Sequence, residues 1–265
     1  MPFAIGAGEG NSIPSGARNG MVGLRESLHR YCFTYPLIFL CISAAPQAHS
    51  GEGKFLVRED FNDLNSWKPF YFPKIKKHTS YTIESNGSES YVKAESNASA
   101  SAVLYKKEFN IYQYSRMRWR WKVENVYING NAKTKSGDDY PLRIYIVFKY
   151  DHQKAGFLDK LKYNAAKLIY GEYPPHSSLN YIWANREYDE TMITNAYTEK
   201  AKMVLLQKGD SNMGKWLNQD VNIREDYEKA FGEKPPPIAS IVIMNDSDNT
   251  GEKSISYLDY IELYR

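Results

Sequence analysis

The chain has almost no cysteine. Of 265 residues only Cys32 and Cys41 are cysteines, and both precede residue 50. Everything after them lacks disulfides and cysteine metal sites, so it must be held by its apolar core. A dominant charge sign is also missing: 34 Lys plus Arg face 31 Asp plus Glu. That balance does not produce the field of a dedicated nucleic-acid binder, and no nucleic-acid partner is expected. The one apolar run, residues 31–45, is shorter than the roughly 20 residues of a membrane-spanning helix. Enzyme signatures are absent too: no His-Glu-x-x-His, no phosphate-binding P-loop, no Gly-x-Ser-x-Gly elbow. His78, His152 and His176 are scattered without metal-ligand spacing.

The N-terminus has its own composition. Residues 1–20 are rich in Gly, Ser and Asn. Arg25, His29 and Arg30 then precede the apolar run, and small residues such as Ser43, Ala44 and Ala45 follow it. A charged, then apolar, then small order is that of a secretory signal. The reading is an upstream extension over 1–20, a signal peptide over 21–50 starting at Met21, and one domain over 54–265. That domain is exported to the periplasm or beyond, with no membrane span after cleavage. A short membrane anchor is the alternative for the same run.

What the chain does have is aromatic residues, 22 Tyr and 5 Trp among them. Such residues favour strands. Residues 115–123 alternate cleanly, with Met117, Trp119, Trp121 and Val123 on one face and Arg116, Arg118, Arg120 and Lys122 on the other. Residues 142–150 alternate likewise. Period two with one apolar face predicts half-buried strands. Further strands are expected over 55–61, 80–84, 90–95, 100–105, 180–184, 201–207, 238–244 and 255–263. Helical spacing appears over 157–169, ended by Gly171, and over 223–231, with Asn222 and Glu225 as a capping box and Gly232 as the stop. Two helices among ten strands exclude a βαβ pattern. The expected fold is an antiparallel β-sandwich, jelly-roll or lectin-like, with two short peripheral helices.

Several phrases carry a resemblance: Ser136-Gly137-Asp138-Asp139-Tyr140-Pro141-Leu142-Arg143, Tyr181-Ile182-Trp183, Asp226-Tyr227 before Phe231-Gly232, and Ile243-Met244-Asn245-Asp246-Ser247-Asp248-Asn249-Thr250-Gly251. In this order they resemble a bacterial exported family known as domain of unknown function 3047. The resemblance spans roughly residues 55–265 and implies a bacterial source. It implies no activity, and residues 151–176 carry none of it.

Candidate ligand-binding residues are Arg118, Arg120, Asp138, Asp139, Arg143, Tyr145 and Trp183. Adjacent Asp138 and Asp139 on a strand would point to opposite faces, so by themselves they make a poor acid–base pair. They read equally as a turn after Gly137. Arg116 to Lys122 and Arg143, Tyr145 and Lys149 would form one basic, aromatic-edged surface if their strands are neighbours. Arg offers bidentate recognition of anionic groups. A solvated face balanced by cross-strand carboxylates is the alternative. Trp183 reads as a sugar-stacking platform or as core. The run from Asp246 to Gly251 follows the start of a calcium loop, with Asp246, Asp248 and Thr250 as ligands, but Tyr257 stands where the loop's closing Glu belongs. A plain acidic turn fits the same run.

These features favour a carbohydrate-binding module, with an acidic polysaccharide as partner and Ca²⁺ as a candidate cofactor. A polysaccharide lyase using Arg143 and Tyr145, or a glycoside hydrolase using Asp139 and Asp246, is the enzyme alternative. An envelope structural or protein-interaction domain is the third.

Overall fold

The computed structural model describes residues 55–87, 89–153, 156, 163–164 and 174–265. The extension and signal expected before residue 50, and most of the helix expected over 157–169, lie outside them.

Among the described residues fourteen strands form two sheets packed face to face, a β-sandwich. The first sheet contains β1 (Val57–Glu59), β3 (Ser80–Asn86), β4 (Glu89–Asn97), β7 (Arg116–Val123), β12 (Leu217–Asn222) and β14 (Lys253–Tyr264). Its order is β12-β7-β14-β4-β3, with β1 also on β14. The second sheet contains β2 (Trp67–Phe70), β5 (Ala100–Tyr105), β6 (Phe109–Asn110), β8 (Arg143–Phe148), β9 (Ser177–Ala184), β10 (Met192–Asn195), β11 (Thr198–Lys208) and β13 (Ile238–Asp246). Its order is β10-β11-β9-β8-β13-β5-β2, with β6 also on β13. Every pairing is antiparallel except β9 with β11. Among the described residues no helix is long and apolar enough to cross a membrane.

Alternation positions the core. Met117, Trp119, Trp121 and Val123 of β7 are all fully buried between the sheets. Leu142, just before β8, and Ile144, Ile146 and Phe148 within it meet them from the other side. Trp121 and Trp183 pack across the gap with ring centroids 5.8 Å apart. Such pairs add to the apolar area that drives folding.

The helix α1 (Ile223–Phe231) forms as its caps dictate. Asn222 Oδ1 accepts from the Glu225 N–H, and Gly232 closes the helix in the left-handed region at φ 71°. Ile223 and Tyr227 are its buried residues. Tyr227 packs against Phe148 at 4.5 Å.

Four strands escape the sequence pattern: β2, β6, β10 and β12. The polar β12, Leu-Asn-Gln-Asp-Val-Asn, buries only Val221 because it is a sheet edge with its outer face in water. The condition for one shared basic surface, that the two basic strands be neighbours, is not met. β7 lies in the first sheet and β8 in the second, so the basic side chains of the two strands do not merge into one surface.

Trp121→Ala removes one of three fully buried indoles from this core. It should cost about 3–5 kcal/mol of unfolding free energy, read from urea unfolding by circular dichroism. A loss below about 1 kcal/mol would mean that the two sheets do not pack through it.

Candidate functional site

On β8 the period of two turns Arg143 and Tyr145 away from the inter-sheet core. Both are buried nonetheless, at 1% and 5% exposure, because other segments cover that face. Phe70, Phe72 and Ile75 pack with Tyr145, Val242 and Met244 on one side. Tyr140, Ala132 and Ile182 close the other. The Arg143 guanidinium lies between the Tyr140 and Tyr145 rings, 4.9 and 5.2 Å from their centroids. Its Nη2 pairs with Asp246. Its Nη1 lies 3.8 Å from Asp138.

The loop before β8 brings the carboxylates in. A Cβ on Gly137 would lie 2.5 Å from the Asn131 backbone nitrogen, so only glycine fits there. The Gly137 carbonyl instead accepts from that N–H at 2.8 Å. The turn therefore needs glycine for close approach rather than for an unusual backbone angle. Asp138 and Asp139 diverge, as adjacent residues should. Asp138 accepts from Tyr140 Oη at 3.1 Å and from Asn195 Nδ2 at 3.2 Å. Asp139 accepts from the Thr250 N–H at 2.6 Å and from Asn249 Nδ2 at 2.9 Å. Asp246 takes the Tyr140 N–H at 3.2 Å on its second oxygen. The segments 138–143 and 246–250 are thus laced together around one cation.

Asp246 and Asp138 flank that cation, and Asp139 and Asp248 lie beside Asp246. Burial pushes Asp246 well above the usual carboxylate range; Arg143 pulls it back, and Asp139, Asp138 and Asp248 add to the rise. Burial, followed by repulsion from Asp139, also raises Asp248. Burial opposes the Arg143 charge as well, but Asp246, Tyr145 and Asp138 outweigh it and keep the guanidinium protonated. The Tyr145 hydroxyl is held neutral by the same burial.

This geometry limits the chemistry. Tyr145 donates to Met244 Sδ at 3.6 Å and lies under the guanidinium, so neither member of the expected lyase pair meets solvent. Asp139 and Asp246, the expected hydrolase pair, are both buried and hydrogen-bonded. Asp139, Asp246 and Asp248 each offer one oxygen to a group within 4.8 Å of one another. Beside them, the Thr250 N–H serves Asp139, and its Oγ1 accepts from the Glu252 N–H at 3.4 Å.

The other candidates lie elsewhere. Trp183 is fully buried in the inter-sheet core and donates to the Gly209 carbonyl at 3.1 Å. Arg118 and Arg120 lie on the outer face of the first sheet. Each cation of β7 there has an acidic partner: Arg116 with Asp220 at 2.7 Å, Arg118 with Glu262, Arg120 with Asp259 at 3.0 Å, Lys122 with Glu124 at 2.8 Å. The stripe is charge-balanced across strands rather than basic.

That face carries aromatic residues that sequence patterning missed. Tyr91, Trp216, Tyr257, Tyr260 and Tyr264 are all half-buried on it. Arg120 lies 5.0 Å from the Trp216 ring, Lys122 4.3 Å from Tyr257, Arg118 5.3 Å from Tyr264 and Arg58 5.8 Å from Tyr260. The register of β14 on β7 shifts between Leu258 and Tyr260, a bulge at Asp259. Simple alternation would send Tyr257 and Tyr260 to opposite faces, and the bulge returns both to the outer one. Two other missed residues are Asn245 and Asn185. Asn245 clamps the sheets together, donating to the Ala94 carbonyl at 3.2 Å and accepting from Ser254 Oγ at 2.9 Å. Asn185 bonds the Tyr127 N–H at 2.9 Å and the Asp139 carbonyl at 2.6 Å.

The raised Asp248 yields a pH test. A carboxyl whose folded value lies above its unfolded one, about 3.9, binds its proton more tightly when folded. Its charge therefore costs stability once pH rises through the folded value, and that cost disappears in acid. In EDTA, Asp248→Asn should raise Tm at pH 7, with the gain shrinking towards pH 4. A fall in Tm at pH 7, or an equal gain at both pH values, would contradict the electrostatic account.

The chain belongs to the family described as "Protein of unknown function (DUF3047)", whose model matches residues 65–262. No curated protein matches it. Among solved structures it is similar to the family 11 carbohydrate-binding module of the cellulosomal cellulase Lic26A-Cel5E of Clostridium thermocellum. The identity there is 11% and the TM-score 0.40, over 80% of this chain and 94% of that one. It is also similar to the family 30 carbohydrate-binding module of a cellulosomal cellulase of the same organism, at 8% identity and TM-score 0.38, over 78% and 97% of the two chains. A third is endoglucanase 3 from family GH12 of Trichoderma harzianum, at 8% and 0.37, over 76% and 99%. Likeness of this degree transfers neither a ligand nor a site residue.

Proposed function

For this member of the family, we propose a carbohydrate-binding role carried by the outer face of the first sheet. The supporting observation is the row of half-buried rings on that open face: Tyr91, Trp216, Tyr257, Tyr260 and Tyr264. Flat rings with wet edges suit the alternating apolar and hydroxylated surfaces of a sugar. The surrounding Arg–carboxylate pairs supply donors and acceptors for hydroxyl groups. Because those pairs balance one another, the face favours a neutral or weakly charged chain over a polyanion. An exported location, as the N-terminal segment leads one to expect, would bring the domain to such polymers.

Affinity electrophoresis in gels containing neutral or acidic polysaccharides tests this. The protein should be retarded most by a neutral chain. Trp216→Ala, which removes about 1 kcal/mol of ring contact, should weaken retention roughly fivefold without altering the fold. Folded protein that migrates freely through every polysaccharide gel would overturn the proposal.

A further inference from the structure

The rings on the outer face of the first sheet stand in a line along β14. Tyr257, Tyr260, Glu262 and Tyr264 pair in turn with Lys122, Arg120, Arg118 and Arg116, which are the outer residues of β7. The bulge falls on β14, so β7 itself runs straight through the pairing. From Lys122 to Arg116 the line is therefore about 20 Å long.

Each end of the line has a cluster of rings. At one end Tyr257 lies 5.6 Å from Tyr91 and 6.1 Å from Trp216. At the other, Tyr264 lies 6.0 Å from Phe55, which is 43% exposed. Tyr260 stands between them. Guanidinium groups fill the intervals and are held in place by carboxylates: Arg120 by Asp259 at 3.0 Å, and both Arg118 and Arg58 by the buried Glu262. A guanidinium has five N–H donors, more than these carboxylates occupy, so donors for hydroxyl groups recur along the line.

One or two sugar units would reach only one cluster. Spanning both takes several units in an extended chain. A second contact made by the same chain is intramolecular, so affinity climbs with chain length once the span is reached. Shape narrows the class further. Equatorial β-linkages give an extended ribbon that can stay on a straight row of rings. An α-linked glucan coils away from such a row. Resting on the carbohydrate-binding reading of this face, we infer that its ligand is the interior of an extended, neutral, β-linked chain lying along β14, with the Tyr257 and Tyr264 clusters as its two contact points.

Isothermal titration calorimetry of the full chain tests this with cellohexaose, mannohexaose and xylohexaose, their disaccharides, and maltohexaose. At least one β-linked hexaose should bind, roughly tenfold or more tighter than its own disaccharide and than maltohexaose. Trp216→Ala at one end and Tyr264→Ala at the other should each weaken that hexaose roughly fivefold, and the pair together about twenty-five-fold. Phe55→Ala, at an exposed ring of the second cluster, should also weaken it and serves where Tyr264→Ala fails to fold. A disaccharide that binds as tightly as its hexaose, maltohexaose that binds equally well, or full affinity in folded Tyr264→Ala and Phe55→Ala would overturn the inference and leave carbohydrate binding standing. The same holds if none of these sugars binds to a protein that polysaccharide gels retard. Free migration through every gel as well would overturn both.

Discussion

A guanidinium without access to water must find its counter-charge and its hydrogen bonds within the fold, and Arg143 makes that demand in the middle of the second sheet. An isolated buried charge is prohibitive, and a paired one is tolerated only with close geometry. Asp246 meets the demand from the adjacent strand, where Met244 is the register partner of Arg143. The consequences spread outward. Asp246 also holds the Tyr140 N–H, which sets the loop into β8. Asp139, on that loop, holds the Thr250 N–H and so sets the turn out of β13. Asn245, one residue before Asp246, points the other way and joins the two sheets through Ala94, Ser254 and Ser256. Two neighbouring residues of one strand therefore serve the sandwich interior and the covered face at once.

The two outer faces of the sandwich have opposite characters. On the second sheet the polar groups are enclosed beneath the segments that cover β8 and β13, with a net excess of carboxylates around one cation. On the first sheet the charges alternate in sign and the rings stand half in water. Burial strengthens the hydrogen bonds and ion pairs of the first arrangement and fixes its geometry. Openness makes the second suited to a long, flat partner.

The strands with one apolar face were legible in the sequence. In β7 the inner residues are all buried and the outer ones all half-buried, as period two requires. The caps of α1 were legible for the same reason: Asn222, Glu225 and Gly232 act over a few residues of chain. Edge strands were not, since β12 buries one residue and carries no pattern. The β14 bulge broke the alternation that would have exposed the aromatic face. The candidate residues around Gly137–Arg143 and Asp246 do come together, but patterning could not foresee their burial, because the cover comes from residues such as Phe72 and Tyr140 on other segments. Trp183 was ambiguous between sugar platform and core, and the packing of the two sheets places it in the core.

The central claim is that the open face of the first sheet is where a carbohydrate lies. Trp67, Trp119, Trp121 and Trp183 are buried, whereas Trp216 is half-buried on that face. Trp216 is therefore the indole a soluble quencher should reach. Acrylamide quenching of tryptophan emission, measured with and without a polysaccharide that retains the protein, is the most direct test. The account predicts that the accessible fraction falls when the polysaccharide is bound. Retention by the polysaccharide with Trp216 still fully quenched would contradict it.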